Sequence, residues 1–190
     1  MSKVLRLSAP VLLAFSYVLT LDSVAGQGGG ATAVSGTVAV NTTTIAIKHG
    51  RAYTFDSVTA AGRNIALLLA DRPVDEAPLR EQLAVFAGAR VVPGAFTGAW
   101  TGMFLEKKLQ GIAFVWGADK TLMLNDIYAA GQDSQLGLPD DSYVVTLKEL
   151  SENRVSGTIR TVKPRVVVGS DELAVGVDVA FDVPVGPLPK

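Results

Sequence analysis

Leu173-Ala-Val-Gly-Val-Asp-Val-Ala-Phe-Asp-Val183 decides how the rest of this chain is read. Leu173, Val175, Val177, Val179, Phe181 and Val183 are apolar at every second position, with Ala174, Gly176, Asp178, Ala180 and Asp182 between them. A helix would scatter those six apolar side chains around its circumference, whereas a strand places them on one face. The segment is therefore a long strand with one buried face, and its period of two is the pattern to look for upstream.

That pattern recurs with turn residues between its occurrences. Residues 35–40 and 43–49 flank Asn41-Thr42, a hairpin connection in which Asn tolerates positive φ. Residues 51–57 form a further strand, and Asn64–Ala70 is a continuous apolar run suited to burial on both faces. Residues 100–107, 110–116 and 120–127 follow, and 143–150 with 155–162 make a hairpin around Ser151-Glu152-Asn153-Arg154. The sum is a mainly β domain of about nine strands with short connections, which predicts an antiparallel β-sandwich or a closed β-barrel.

One segment departs from the period. In Asp75–Phe86, Leu79, Leu83 and Phe86 fall at helical spacing, Asp75 can cap the start, Pro78 suits the first turn and Gly88 can end it. A single short helix is expected over about 76–87, packed on one face of the sheet. Pro184-Val-Gly-Pro-Leu-Pro-Lys190 is expected to leave the ladder, with 186–190 as a tail. A transmembrane barrel would show aromatic girdles. Aromatics here are 7% of the residues and a helix interrupts the strands, so a water-soluble domain is favoured.

The first 25 residues read as an export signal. Lys3 and Arg6 are a basic start, Val11–Thr20 is uncharged, and Ser23-Val24-Ala25 offers small residues for cleavage after Ala25. Pro10 and Asp22 confine the apolar run to less than the roughly 20 residues of a membrane span. Residues 26–33 are a Gly-rich tether, and 34–185 form one domain. The expected location is the periplasm or the exterior, with no stable membrane span after cleavage. Cysteine is absent, so the chain has no disulfide, no thiol nucleophile and no Cys-ligated zinc. Removal of the leader leaves 15 basic and 17 acidic residues without a basic cluster, a balance that argues against nucleic acid as a partner.

Side chains that could carry chemistry are few. His49 is the sole histidine, at a strand end, with Arg51 and Tyr53 on the alternate positions that follow. Imidazole titrates near neutrality, but no G-x-S-x-G nucleophile elbow accompanies it. Asp71-Arg72, ahead of Pro73, could contact a polar ligand, although an Asp at such a corner ordinarily binds backbone N–H groups. Asp126, Asp133, Asp140 and Asp141 are the acids a hydrolase or a calcium site would draw on, yet the calcium-loop spacing is missing. Trp100 could be a ligand platform or part of the core, while Ile112, Phe114 and Trp116 share a core-facing parity. Asn41-Thr42-Thr43 matches a glycosylation tripeptide but is first a turn. The candidate ligand-binding residues are thus His49, Arg51, Asp71, Arg72 and Trp100, with no catalytic residue, metal or cofactor assigned.

Gly36-Thr-Val-Ala-Val40, Ile45-Ala-Ile-Lys-His49, Leu67-Leu-Leu-Ala-Asp-Arg-Pro73, Val155-Ser-Gly-Thr158 and Val177–Pro184 together resemble exported bacterial β-proteins of unassigned function. The resemblance implies export and β architecture, and brings no activity or site residues. The functional expectation is an exported, non-catalytic binding or interaction domain of the cell envelope, taking a protein or small-molecule ligand. The alternatives are a periplasmic hydrolase using the loop carboxylates and a small barrel carrying apolar ligands.

Overall fold

A computed structural model describes residues 31–58, 61–86, 91–133, 135–168 and 171–190. The leader, most of the tether and Gly88 lie outside the described residues. In chain order the elements are β1 (Ala33–Val40), β2 (Thr43–Ile47), β3 (His49–Asp56), β4 (Arg63–Ala70), α1 (Ala77–Ala84) and α2 (Pro93–Leu105). There follow β5 (Gly111–Trp116), β6 (Leu122–Tyr128), β7 (Leu136–Gly137), β8 (Tyr143–Leu150), β9 (Arg154–Thr161), β10 (Arg165–Val168) and β11 (Asp171–Pro187).

The alternating segment that dominates the sequence is the hub. Along β11, Asp171–Ala174 pairs with β10, Val175–Asp182 pairs antiparallel with β1, and Asp178–Pro184 pairs with β9 on the other edge. Val185–Pro187 then runs parallel to Ala52–Thr54 of β3. One strand thereby joins a half made of β2, β1, β11, β9 and β8 to a half made of β3, β4, β5, β6 and β7. Among the described residues all 11 strands belong to one sheet, and it is open: β2 and β7, at the ends of the pairing path, do not meet as partners.

Two apolar cores follow from strand parity. Val38, Ile45, Ile159, Val177, Val179 and Phe181 of the first half pack with Ile65, Leu67, Leu69, Ile112, Phe114 and Ile127 of the second. The opposite face of the second half, with Tyr53, Phe55, Leu68, Ala113 and Tyr128, packs under Leu79 of α1 and Phe96, Trp100, Met103 and Phe104 of α2. Strand β4 is covered on both sides, as its unbroken apolar run requires. Each fully buried Leu of this kind contributes about 1.5–3 kcal/mol.

Three expectations are corrected. Residues 100–107 are not a strand, because Pro93–Leu105 is a second helix. Ala95, Phe96, Ala99, Trp100, Met103 and Phe104 recur at helical intervals, and Pro93 sits in its first turn, where a missing N–H costs nothing. The strand count rises to 11 because β7 and β10, of 2 and 4 residues, are too short to show a period. Pro184 does not end the ladder: the Val185 N–H donates to the Asn153 carbonyl (2.9 Å) on the β9 side. The N-side of Pro184 faces the opposite edge, where β1 has already ended at Ala33 opposite Asp182. Two boundaries also move: the N-cap of α1 is Glu76, whose side chain makes no cap bond, with Asp75 one residue ahead of it, and His49 and Gly50 open β3 instead of ending one strand and setting off the next. Asn41 has φ +52° in the β1–β2 turn, and Asp75 Oδ1 accepts from the Ala77 N–H (2.9 Å) at the start of α1.

The pairing of β1 with β11 leaves no room at Gly36, whose φ is +137° and whose added Cβ would stand 2.1 Å from the Asp178 carbonyl oxygen. A Cβ on Gly176, facing outward, would meet nothing nearer than Ala39 at 3.6 Å. Gly36→Ala is expected to lower unfolding free energy by about 3 kcal/mol or more, and Gly176→Ala to change it by less than about 0.5 kcal/mol. Urea unfolding of the two variants checks this, and equal effects would refute the hub assignment.

Candidate functional site

Strand parity gathers four of the five candidate residues at one corner. Positions 49, 51, 53 and 55 of β3 face the helical layer, and His49 pairs in register with Ala70, immediately before Asp71. The strand-to-helix connection Asp71–Glu76 passes over this end, so His49, Arg51, Asp71 and Arg72 share a neighbourhood.

Their hydrogen bonds fasten the sheet. The Asp71 N–H donates to the Gln110 carbonyl (2.9 Å), and Asp71 Oδ1 accepts from the Gln110 N–H (3.0 Å), tying the end of β4 to the start of β5. Arg72 donates to both Asp71 oxygens (2.7–3.1 Å) and, through Nη1, to the Lys107 carbonyl (3.2 Å), where α2 has just ended. Gln110 Oε1 accepts from the Ala130 N–H (2.9 Å), and Thr43 Oγ1 donates to the Ala130 carbonyl (3.3 Å). Through these groups the corner links β2, β4, β5, α2 and the segment after β6.

One position further along β3, the Arg51 guanidinium lies 3.7 Å from Glu76 Oε1, which also accepts from the Tyr53 hydroxyl (3.0 Å). Burial and the Glu76 charge push the Tyr53 hydroxyl far above its ordinary range, so it remains a donor. His49 is half-buried. Desolvation lowers its pKa, and the Asp71 carboxylate partly opposes that shift.

Trp100 stands apart from these four. It is fully buried on α2, its ring 5.4 Å from Phe96, so it belongs to the core between helices and sheet. Phe114 and Trp116 stack at 5.5 Å in the core between the two halves of the sheet, as their shared parity predicts.

The acids of 126–141 take separate routes. Asp141 is ion-paired with Lys163, and Asp140 accepts from Asn125 (3.4 Å). Asp133 is exposed. Asp126 is the exception, being only 9% exposed on the helix-facing side of β6, between Leu124 and Tyr128. Burial raises its pKa. Between α1 and α2 lies an open groove of about 420 Å³, bordered by Asp75, Glu81, Gln82, Gly98 and Gly102, and lined by none of the five candidates.

No family model, curated protein or solved structure matches this chain.

Sequence reasoning found the corner because the ends of β3 and β4 are adjacent in both sequence and register. It missed Glu76 and Gln110, whose partners lie 23 and 39 residues away. Only the alternation of Arg51 with Tyr53 hinted at a shared acidic partner.

Two measurements test these electrostatics. The single imidazole is expected to titrate below its ordinary value of about 6.5 in proton NMR, and Asp71→Asn to lower it further by removing the opposing charge. An upward shift in Asp71→Asn would refute the coupling. For Asp126, a folded-state pKa above the unfolded value means that ionisation opposes folding and that this penalty fades as pH falls. Asp126→Asn is therefore expected to raise the melting temperature near pH 7, with the gain shrinking towards about pH 4.

Proposed function

We propose that the protein is an exported, non-catalytic binding domain of the bacterial cell envelope, whose two sheet halves face one another as a β-sandwich. On this reading the leader is removed after Ala25 and the polar corner around His49 and Arg51 is the contact surface. The observation that carries it is the state of the carboxylates beside the sole histidine. Asp71 is held by Arg72 and the Gln110 N–H, and Glu76 by Tyr53 and Arg51. A carboxylate that accepts several internal hydrogen bonds fixes structure and supports a contact surface more readily than it shuttles protons. Arg51 and His49 keep part of their surface open to solvent, which suits recognition of a polar partner.

The test uses the full chain expressed in a Gram-negative host and recovered from its periplasmic fraction. Intact mass is expected to correspond to residues 26–190, and native mass spectrometry to reveal a bound species that Arg51→Ala loses. Recovery from the cytoplasm with residues 1–25 attached would overturn export. A bound species unaffected by Arg51→Ala and His49→Ala would overturn the assignment of the corner.

A further inference from the structure

The two cores share no side chain, because strands β3 to β6 lie between them. The chain enters the helical layer after Ala70 and returns to the sheet at Gly111, and those two residues are partners in the β4–β5 ladder. Both helices are thus inserted between strands that remain bonded to each other without them. The connections are clamped at their base, where Asp71 Oδ1 accepts from the Gln110 N–H (3.0 Å) and Arg72 Nη1 donates to the Lys107 carbonyl (3.2 Å). Lifting α1 and α2 would break the Tyr53–Glu76 and Thr101–Gln135 hydrogen bonds (3.0 and 3.2 Å) but, among the described residues, no strand pairing.

Packing has to hold this layer, since neither helix is built to persist alone. Helix α1 has 8 residues and α2 has 13, lengths at which isolated helices are marginal in water. Their N-caps, Glu76 and Val92, make no side-chain cap bond, and neither helix has an acidic residue in its first turn or a basic one in its last. Gly98 and Gly102 lie inside α2, where glycine is a poor helix former. The interface itself is incomplete. Asn64, paired with Phe55 and sharing the parity of Ala66 and Leu68, faces the helices, as does Tyr128, while Trp100 faces the sheet from α2. Both amide atoms of Asn64, the Trp100 indole N–H and the Tyr128 hydroxyl are sealed without a partner. Such groups regain water when a layer lifts, so each lowers the cost of opening. The Thr54 and Tyr143 hydroxyls are in the same state outside that interface, but parting the two halves of the sheet would tear β11 from β3.

We propose that α1 and α2 form a lid that unfolds from the sheet as one unit, hinged at the Asp71–Gln110 and Arg72–Lys107 clamp, while the sheet and its other core stay folded. Opening uncovers the apolar face that carries Tyr53, Phe55, Leu68, Ala113 and Tyr128, all of which the closed protein hides. Local openings of this kind require less free energy than complete unfolding when a contiguous unit can leave alone. The two tryptophans are placed to report it, with Trp100 under the lid and Trp116 in the core between the sheet halves. The device does not depend on export or on what His49 and Arg51 contact.

The test is native-state amide hydrogen exchange of the purified full chain in increasing, sub-denaturing urea. After correction for intrinsic rates, amides of Ala99–Phe104 in α2 are expected to exchange at least about tenfold faster than those of Val177–Phe181 in β11, with a weaker but measurable urea dependence that the α1 amides share. Gly102→Ala adds a Cβ that meets nothing within 4 Å. It is expected to slow the α2 amides about fivefold and to leave the β11 amides unchanged. In Trp116→Phe, which keeps Trp100 as the sole indole, emission is expected to shift at a lower urea concentration than that at which the native β11 amide resonances disappear. Thermal unfolding confirms that each variant is folded, and exchange of the unsubstituted chain decides without them. The proposal is overturned if α2 and β11 amides exchange at one rate with one urea dependence, or if α2 exchange ignores urea, as fraying would. It is equally overturned if folded Gly102→Ala slows both sets alike, or if Trp100 emission and the β11 resonances change together.

Discussion

The structure depends on a strand that is hydrogen-bonded along both edges. Over Asp178–Asp182, β11 is paired with β1 and β9 at once, and none of that stretch can slip without breaking two ladders. A slip by one residue would also turn Val177, Val179 and Phe181 out of the core and bring Asp178 and Asp182 in. Outward-facing pairs reinforce the register, since Arg160 meets Asp178 (3.2 Å) and Arg154 meets Asp182 across the same strands. Exposed pairs of this kind add little energy individually. Their value lies in disfavouring the alternative alignments.

From that hub the second half of the sheet is positioned by a short parallel contact and by shared side chains. Val185–Pro187 lies beside β3, and Gly50 of β3 comes so close to Val183 and Val34 that its added Cβ would stand 2.7 and 2.9 Å from their methyl groups. Close packing here orients β3, so its other face presents Tyr53 and Phe55 to α2 and leaves Arg51 and His49 at the rim. The corner is then a consequence of sheet geometry. Asp71 and Gln110 exchange two hydrogen bonds where β4 hands over to β5, and Arg72 reaches the end of α2. Removing one member of such a lock leaves partners unsatisfied, at about 1–3 kcal/mol for each buried group.

The parts legible in the sequence were those determined by local periodicity. Strands β1 to β6, β8, β9 and β11 announce themselves because one of their faces is apolar, and β4 because both are. What failed was the segment 100–107, where Trp100 and Phe104 are four apart, a spacing that fits one face of either a strand or a helix. The decisive information lay upstream, in Phe96 and Ala99, which only helical spacing unites with Trp100 and Met103. That misreading hid the environment of Asp126 as well. With a single short helix, the Asp126 side of β6 would face water and the carboxylate would be an ordinary surface acid. With α2 in place, the alternation Leu124, Asp126, Tyr128 carries the carboxylate into a core. Burial of a charge is a tertiary property, so the residue was visible in the sequence while its environment was not.

The two polar regions differ in what they do to the fold. At the corner, donors and acceptors are matched across five chain segments, the condition under which buried polar groups rigidify a fold. Under α2, the Thr97 hydroxyl is sealed without a partner, while Thr101 donates to Gln135 Oε1 just before β7 (3.2 Å). Burial raises the pKa of Asp126, so it is the ionised form that its surroundings disfavour. The sheet edge also stays thin beside them, since β7 contributes two residues and one of these is an exposed glycine. A buried polar group without an internal partner costs stability, whereas a fully matched network rigidifies, so the two regions act on the fold in opposite directions.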